Sequence, residues 1–378
     1  MNHSHRHDHA TEAHQPTANA SPIRILAIDV GAGTQDVLIY ESDKTPENCF
    51  KLVLPSQTQI VARRIRKATA DGRPVHLTGT VMGGGASGYA VQDHLAAGLP
   101  VTASPAAART IHNDLARVER LGITVRDDPP GDAEAIELQD VDLTSLAAAL
   151  APFGIEVPAV IAVAVQDHGY RPGSSNNAVR FEYLQTLVEN GGELARMVYR
   201  EPPAGMTRME AVLETVPGAY LMDTGAAAVL GALGDPLVAA AVQSDGAILV
   251  NVGNMHTFAT LVKGNRLYGL FEHHTGGITA ERIEELVERL REGTIDTARF
   301  TQDFDGHGAA LDPSYRDEGP FRFVAVTGPN RAIARPLGYH EAAPHGDMML
   351  AGSFGLVEGV FQAMRYEGIE TGLTLIAS

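Results

Sequence analysis

The chain has very little cysteine and no tryptophan, with Cys49 as the one cysteine among 378 residues. A single thiol cannot close an intramolecular disulfide or supply the several cysteines of an iron–sulfur or structural zinc cluster. The sequence also lacks any apolar run of about 18 or more residues, so no membrane span is expected. Its first residues show no apolar stretch of the signal-peptide type, and we therefore expect a cytoplasmic protein.

Basic residues are scarce as well. Lysine and arginine number 29 against 46 aspartate and glutamate residues, which gives a formal net charge of −17. Binding to nucleic acid depends on a basic surface that neutralises phosphates, so this balance argues against a nucleic-acid partner. The hydrophobic content of 44% and the charged content of 20% are typical of a globular protein, and the length suffices for two or three domains.

Histidine is abundant at the start of the chain. Residues 1–22 include five histidines between His3 and His14 and have too few apolar residues to fold, so we expect a disordered tail. Closely spaced imidazoles can bind Ni²⁺, Zn²⁺ or Cu²⁺ loosely. The alternative is a tail without a metal role.

Hydrophobic patterns and glycine turns predict an α/β protein. Two hairpins are expected, one from residue 23 and one from residue 247, each with a glycine turn after its first strand. Residues 75–127 have the pattern of a βαβαβ unit, residues 127–142 that of a surface connection, and residues 348–364 that of a long final helix. The similar design of the two hairpins indicates two related halves.

The first glycine turn reads DVGAGTQD at residues 29–36. Glycine lets the backbone take positive φ and approach an anion closely, and successive N–H groups with a hydroxyl can then hold phosphate. Asp29 can hold Mg²⁺, mostly through water. The alternative is an ordinary hairpin turn. The candidate phosphate-binding residues are Gly31, Gly33, Thr34 and Gln35.

A second turn of the same design reads NVGNMHTFAT at residues 251–260. Here too a glycine allows close approach of the backbone to phosphate. The imidazole of His256 titrates near neutrality and could act in chemistry, or it could simply pack in the turn. The candidate nucleotide-binding residues are Gly253, Asn254, His256 and Thr257.

These turns are the first and third of five segments. The others read MDTGAAAVLG from residue 222, TGPNR from residue 327 and GDMMLAGSFGLVEG from residue 346. In this order and spacing they resemble the ATPase core shared by actin, the 70-kDa heat-shock chaperones and the sugar kinases, over roughly residues 22–378. The resemblance implies an actin-like (ribonuclease H-like) ATPase fold, with two lobes around a cleft that binds ATP and Mg²⁺ beside a small-molecule substrate.

The resemblance also implies domain bounds and further site residues. The lobes would cover residues 23–230, including the 75–127 unit, and residues 231–378. Asp223 would be a second ligand of Mg²⁺, and Gly328 and Asn330 would bind the adenosine.

At Asn251 the chain departs from its relatives, which usually carry aspartate at this position. An amide can bind a metal-bound water, but it cannot act as a base at neutral pH. The departure therefore argues against efficient ATP hydrolysis by the chaperone route.

Two polar clusters exceed what a nucleotide site requires. QDHG at residues 166–169 ends an apolar strand, where open α/β sheets place catalytic groups, so we expect Asp167 to act as a base and count it with His168 and Asp29 as catalytic. In EHHTGG at residues 272–277, adjacent histidines on a strand point to opposite faces.

One of His273 and His274 could therefore join His168 and Asp167 in a Zn²⁺, Ni²⁺ or acid–base site. The alternative is that these are hydrogen-bonded structural histidines. Gly277 is added to the candidate ligand-binding glycines, and the loop Gly83–Gly85 could bind a second substrate or be a flexible turn.

The segments QDHG and GLFEHHTGG also resemble a family whose legacy name is pyruvate formate-lyase activating enzyme. Radical-activating enzymes of that type need three cysteines around an iron–sulfur cluster. The chain has Cys49 alone, so that activity is rejected.

Three functions remain open. The first is a Mg²⁺-dependent enzyme that uses a nucleotide, either a small-molecule kinase or an ATPase-coupled activator. The second is a nucleotide-dependent switch that binds a partner protein. The third is a metal-dependent enzyme that uses His168, His273 and His274 without ATP. The sequence does not decide between a monomer and a homodimer.

Overall fold

A computed structural model of the chain describes residues 21–174, 176–295, 300 and 307–377. Residues 1–20 of the predicted histidine-rich tail lie outside these ranges. The strands are β1 (Arg24–Val30), β2 (Thr34–Glu41), β3 (Phe50–Pro55), β4 (Val75–Gly79), β5 (Val101–Ala103), β6 (Ile123–Val125), β7 (Glu134–Leu138), β8 (Val160–Val165), β9 (Val198–Tyr199), β10 (Tyr220–Met222), β11 (Ala247–Val252), β12 (His256–Lys263), β13 (Arg266–His274), β14 (Gly308–Leu311), β15 (Phe323–Thr327) and β16 (His340–Glu341).

Helices connect and cover these strands. The α-helices are α1 (Gln57–Ala70), α2 (Gly85–Ala96), α3 (Pro105–Ala108), α4 (Leu115–Arg120), α5 (Leu143–Leu150), α6 (Asn176–Glu189), α7 (Thr207–Thr215), α8 (Thr224–Ala232), α9 (Pro236–Gln243), α10 (Ala280–Glu292) and α11 (Ala351–Tyr366). Short 3₁₀ turns lie at Pro46–Asn48, Ala151–Phe153, Leu194–Met197, Pro313–Asp317, Arg331–Leu337 and Pro344–Gly346.

The first sheet has the strand order β3-β2-β1-β8-β10-β9. Strands β1, β2 and β3 form an antiparallel meander, and β8 and β10 extend it in parallel with β1. The edge strand β9 pairs antiparallel with β10. The β8 sequence VIAVAV is apolar throughout because parallel strands at the centre of such a sheet are covered on both faces.

The second sheet repeats this topology with the order β14-β13-β12-β11-β15-β16. Strands β11, β12 and β13 form the meander, and β15 and β16 follow in parallel with β11. A three-stranded meander followed by parallel strands, present twice, is the predicted actin-like arrangement. The protein therefore has an α/β actin-like (ribonuclease H-like) ATPase fold, as the sequence predicted.

A third, parallel sheet with the order β6-β5-β4-β7 is inserted between β3 and β8 of the first sheet. The βαβαβ pattern predicted for residues 75–127 has one helix between β5 and β6, but the structure has two, α3 and α4, because the side chain of Asp114 accepts a hydrogen bond from Ala116 N and begins α4. The prediction of a surface connection over residues 127–142 was also wrong. That stretch contains β7, whose Ile136 and Leu138 are buried against β4.

The two large sheets share one apolar core, in which α8 and α11 pack against each other. Their contact is unusually close, because a Cβ atom on Gly231 would lie 1.7 Å from the carbonyl oxygen of Ala351, and one on Gly355 would lie 1.8 Å from that of Ala227. Small residues at these positions therefore set the distance between the helices, and through it the position of the cleft described below.

No single helix among the residues that the structure describes is long and apolar enough to span a bilayer. Helices α8 and α9 reach that length and hydropathy only as a pair, and the pair is bent by 91°.

We expect Gly355→Ala to destabilise the protein by about 1–3 kcal/mol or more, because the added methyl group must push α8 and α11 apart. Gly88→Ala in α2 is the matched control, since nothing lies within 4 Å of its added Cβ and alanine favours a helix by up to about 1 kcal/mol. Urea unfolding measures both. Equal stabilities of the two variants would contradict the close-packing account.

Candidate functional site

A cleft of about 430 Å³ lies where the two large sheets and the inserted sheet meet. Strands β1, β8, β11 and β15 all reach it with their carboxyl ends, as is usual for ligand sites of open α/β sheets. The predicted site residues that line the cleft are Asp29, Gly31, Thr34, Asp167, His168, Gly253, Asn254, His256 and Gly328.

The two glycine turns have the same internal structure. Gly31 N donates to Thr34 O at 2.8 Å, and Gly253 N donates to His256 O at 2.9 Å. The turns also approach each other, since a Cβ atom on Gly33 would lie 3.0 Å from the Asn254 side-chain nitrogen. The two turns, one from each lobe, therefore lie next to each other at the cleft.

A pair of carboxylates lies beside the first turn. Asp29 and Asp36 stand opposite each other in the β1–β2 ladder, and both line the cleft. Burial, reinforced by the Asp36 charge, raises the pKa of Asp29 well above its usual range, and burial raises the pKa of Asp36 to about 6. The Oδ1 atom of each is buried without a hydrogen-bond partner in the described structure. Buried carboxylate oxygens without protein donors fit a cation such as Mg²⁺.

Gly352, at the start of α11, makes room for Asp29. A Cβ atom at this position would lie 1.9 Å from Asp29 Oδ2. The same close approach of α11 that packs the core therefore also shapes the acidic end of the cleft.

Asp223 has protein partners in the structure, and its role as a metal ligand stays a prediction. Its side chain accepts a hydrogen bond from Gly225 N at the start of α8 and forms a two-pronged ion pair with Arg180. The oxygens of Asp223 thus serve a helix cap and an ion pair.

Arg180 is the centre of a buried network between the lobes. Its Nε donates to Glu272 Oε2 at 2.9 Å, so one guanidinium joins β13 to the start of α8. Gln166 donates to the other oxygen of Glu272 and contacts His256 Nδ1 with its own oxygen. Arg180 and Glu272 are 3% and 0% exposed, so neither charge has water to replace a lost partner.

A second buried ion pair positions the inserted sheet. Arg208 Nε and Nη2 donate to the two oxygens of Asp140 at 2.7 and 2.8 Å, and Gly83 N donates to Asp140 at 3.1 Å. The Gly83–Gly85 loop is thereby held against the cleft. Sequence reasoning missed Arg180, Arg208, Asp140 and Glu272 as site residues, since nothing local in the sequence marks pairs so far apart.

Asp167 has a visible structural role. Its carboxylate accepts hydrogen bonds from Gly169 N, Arg208 N and Met209 N at 2.8–2.9 Å, which organises the loop after β8 and the first turn of α7. The side chain is 3% exposed. The role of catalytic base stays a prediction.

Four imidazoles gather at one edge of the cleft. The ring of His256 lies 4.6 Å from that of His307 and 5.7 Å from that of His274, and the ring of His168 stacks on His307 at 5.8 Å. Burial lowers the pKa of His256 and of His307 to about 4, and that of His168 well below its usual value. These three rings are therefore neutral near pH 7, and each keeps a lone pair.

The strand alternation places His273 away from this group. Its Nδ1 lies 2.7 Å from the His274 carbonyl oxygen, and its ring packs edge-on against Phe300. The predicted metal set of His168, His273 and His274 is thus corrected by the geometry, because His273 faces the other side of the sheet. The structure instead brings His256 and His307 beside His274, and sequence reasoning missed His307.

The other predicted residues lie near the cleft without lining it. Gln35 donates to Pro55 O across the β2–β3 ladder, and Thr257 is buried beside Thr275. Gly277 is a turn glycine with φ of 78° outside the cleft lining. Asn330 donates to Gly253 O at 2.9 Å and so supports the second glycine turn.

We expect Arg180→Met to destabilise the protein by about 3–5 kcal/mol, because it leaves two buried carboxylates without their partner. Arg171→Ala is the control, since its pair with Glu182 has side chains 56% and 60% exposed and should contribute less than about 1 kcal/mol. Chemical unfolding of both variants measures the difference. A loss for Arg180→Met as small as that of the control would refute the role given to this network.

A family model described as "Putative pyruvate format-lyase activating enzyme (DUF1786)" matches residues 82–333, about two thirds of the chain. The chain belongs to this family. The matched residues contain no cysteine, because Cys49 is the one cysteine of the chain. The cysteine-ligated cluster that the description requires therefore cannot be formed by this region.

Among solved structures, the chain is similar to the ethanolamine utilization protein EutJ from Carboxydothermus hydrogenoformans, at 12% identity and a TM-score of 0.32 over 89% of this chain and 90% of that one. It is also similar to an Aquifex aeolicus member of the Ppx/GppA family, at 10% identity and a TM-score of 0.29 over 94% and 86%. At these values neither similarity bears on function. Comparison with curated proteins gives no match.

Proposed function

We propose that the protein is a Mg²⁺-dependent nucleotide-binding enzyme that transfers a phosphoryl group to a small-molecule acceptor. The observation that carries this proposal is the convergence of two glycine turns and an acidic pair on one cleft. Each turn comes from a different lobe, so a nucleotide would bridge the lobes. A cleft of about 430 Å³ lies in the size range of small-molecule sites.

In this proposal the acidic pair binds the metal ion and the glycine turns bind the phosphates. Asp29 and Asp36 hold Mg²⁺, mostly through its water shell, and the ion neutralises charge on the phosphates. The turns at residues 31–34 and 253–254 cradle the phosphates with backbone N–H groups. Gly328 lies against the nucleoside, and Asn330 acts indirectly by fixing Gly253.

The acceptor would lie on the side of the inserted sheet. The Gly83–Gly85 loop faces the cleft there, and Arg109 lines the same wall with an exposed side chain. Arginine suits an acceptor that carries a carboxylate or a phosphate. Closure of the lobes would exclude water during transfer.

A nucleotide-dependent switch is the second candidate, and Asn251 favours it. Asn251 occupies in β11 the place that Asp29 occupies in β1, so one lobe presents an amide where the other presents a carboxylate. An amide is no base, which favours slow turnover. Small molecules that accelerate ADP formation would decide for transfer, whereas nucleotide-controlled capture of one protein partner without such acceleration would decide for the switch.

The first test is calorimetric titration of the full chain with ATP in Mg²⁺ and in EDTA. We expect Mg²⁺-dependent binding, and we expect Asp29→Asn to weaken it roughly 10- to 100-fold or more, the scale for disrupted metal sites. The histidine-rich tail should not interfere, because Mg²⁺ prefers oxygen ligands.

Asp71→Asn is the matched control, since Asp71 forms an exposed pair with Lys67 at the end of α1 and lies outside the cleft lining. It should bind ATP as the unmodified chain does. If the unmodified chain binds neither ATP, ADP nor GTP, both the enzyme and the switch are excluded.

A further inference from the structure

Three histidines lie close together at the ends of three neighbouring strands of the second sheet. His256 begins β12, His274 ends β13, and His307 immediately precedes β14. One ring nitrogen of each can be chosen so that all three atoms lie within 4.8 Å of one another. We propose that His256, His274 and His307 form a binding site for a divalent transition-metal ion of the Zn²⁺ class, separate from the Mg²⁺ site at Asp29.

The distances suit a shared ion. His307 Nε2 lies 3.1 Å from the nearest nitrogen of His274. Two imidazole nitrogens on one tetrahedral Zn²⁺ ion, each bound at about 2.1 Å, are roughly 3.4 Å apart. This pair is close to that value, and since the three chosen atoms lie within 4.8 Å of one another, the other pairs would have to close by at most about 1.4 Å around an ion.

The sheet holds these residues in place before any ion arrives. His256 and His274 are direct partners in the β12–β13 ladder, and His307 N donates to Glu272 O at 2.9 Å. The three ligands are therefore fixed by backbone pairing rather than by one flexible loop.

A hydrogen-bonded pair of side chains orients His256 in the way that metal-binding histidines require. The Gln166 amide nitrogen donates to Glu272, so its oxygen must accept from His256 Nδ1–H. This leaves the unprotonated Nε2 of His256 available as a ligand. Metal-binding histidines usually donate their other ring N–H to such an oxygen acceptor, which fixes the tautomer.

The ligand atoms also indicate which kind of metal ion the site would bind. Imidazole nitrogens suit Zn²⁺, Ni²⁺, Cu²⁺ or Fe²⁺, whereas Mg²⁺ prefers carboxylate oxygens such as those of Asp29 and Asp36. His168 flanks the group, and its buried Nδ1 has no hydrogen-bond partner among the described residues. His168 lines the cleft together with His256, so it is the candidate for a fourth ligand.

The test uses the full chain with the five histidines of residues 1–22 changed to asparagine, because the tail would otherwise bind metal itself. Metal-free protein is titrated with Zn²⁺, and bound metal is measured after gel filtration. We expect one tightly bound Zn²⁺ per chain. His274→Ala and His307→Ala should each weaken binding roughly 100-fold or more, since each removes a direct ligand.

His273→Ala is the matched control, because it is adjacent in sequence but faces the other side of the sheet. It should keep the metal. Circular dichroism verifies folding, and the exposed position of His274 makes that variant the safer one if His307→Ala does not fold. Replacement by Co²⁺ should give the visible spectrum of a nitrogen-ligated ion in the parent chain and in His273→Ala, and lose it in His274→Ala.

Weak, non-stoichiometric binding by the parent chain, or equal binding by the parent and His274→Ala, would overturn the proposal. Asp29→Asn should leave Zn²⁺ binding unchanged while it weakens Mg²⁺-dependent nucleotide binding. The two sites can therefore fail or succeed independently.

Discussion

The buried ion pairs of Arg180 constrain the rest of the structure. One guanidinium on α6 binds Asp223 at the start of α8 and Glu272 on β13. Two buried carboxylates therefore share one positive charge, and these contacts join three elements from both halves of the chain. Burying such groups costs much of the energy that their attraction returns, and the arrangement is therefore a determinant of geometry more than of stability. These contacts join the end of β13 to the start of α8 beside the cleft.

The repeated topology places two similar turns in the cleft with different chemistry. At equivalent positions of the two hairpins, Asp29 corresponds to Asn251, Asp36 to Phe258 and Thr34 to His256. One hairpin thus supplies oxygen atoms and a hydroxyl group, and the other supplies an amide, an apolar ring and an imidazole. The backbones of the two hairpins are alike, but their side chains differ. One end of the cleft is therefore acidic, and the other carries amide and imidazole nitrogens.

Close packing and polar placement depend on each other in this molecule. The glycines of α8 and α11 allow the two helices to approach closely, and Gly352, at the start of α11, leaves room for the Asp29 carboxylate. A larger residue there would displace the group that we assign to Mg²⁺. On the other side, the same Glu272 that pairs with Arg180 receives the bond from Gln166 that orients His256. Gly352 thus links the acidic pair to the packed core, and Glu272 links the histidine group to the buried ion pairs of Arg180.

The sequence by itself determined the α/β class, the actin-like fold and the two glycine turns. The class and the turns follow from local rules, because strand alternation, apolar runs and glycine turns are properties of neighbouring residues, whereas the fold was inferred from the resemblance of five segments to a known ATPase core. Alternation also predicted that His273 and His274 face opposite ways. Only the tertiary structure decided which of them joins His256 and His307, since strand register and long-range pairing set those contacts. Arg180 and Glu272 are 92 residues apart, and Arg208 and Asp140 are 68 apart, so no local pattern could reveal that each pair forms an ion pair.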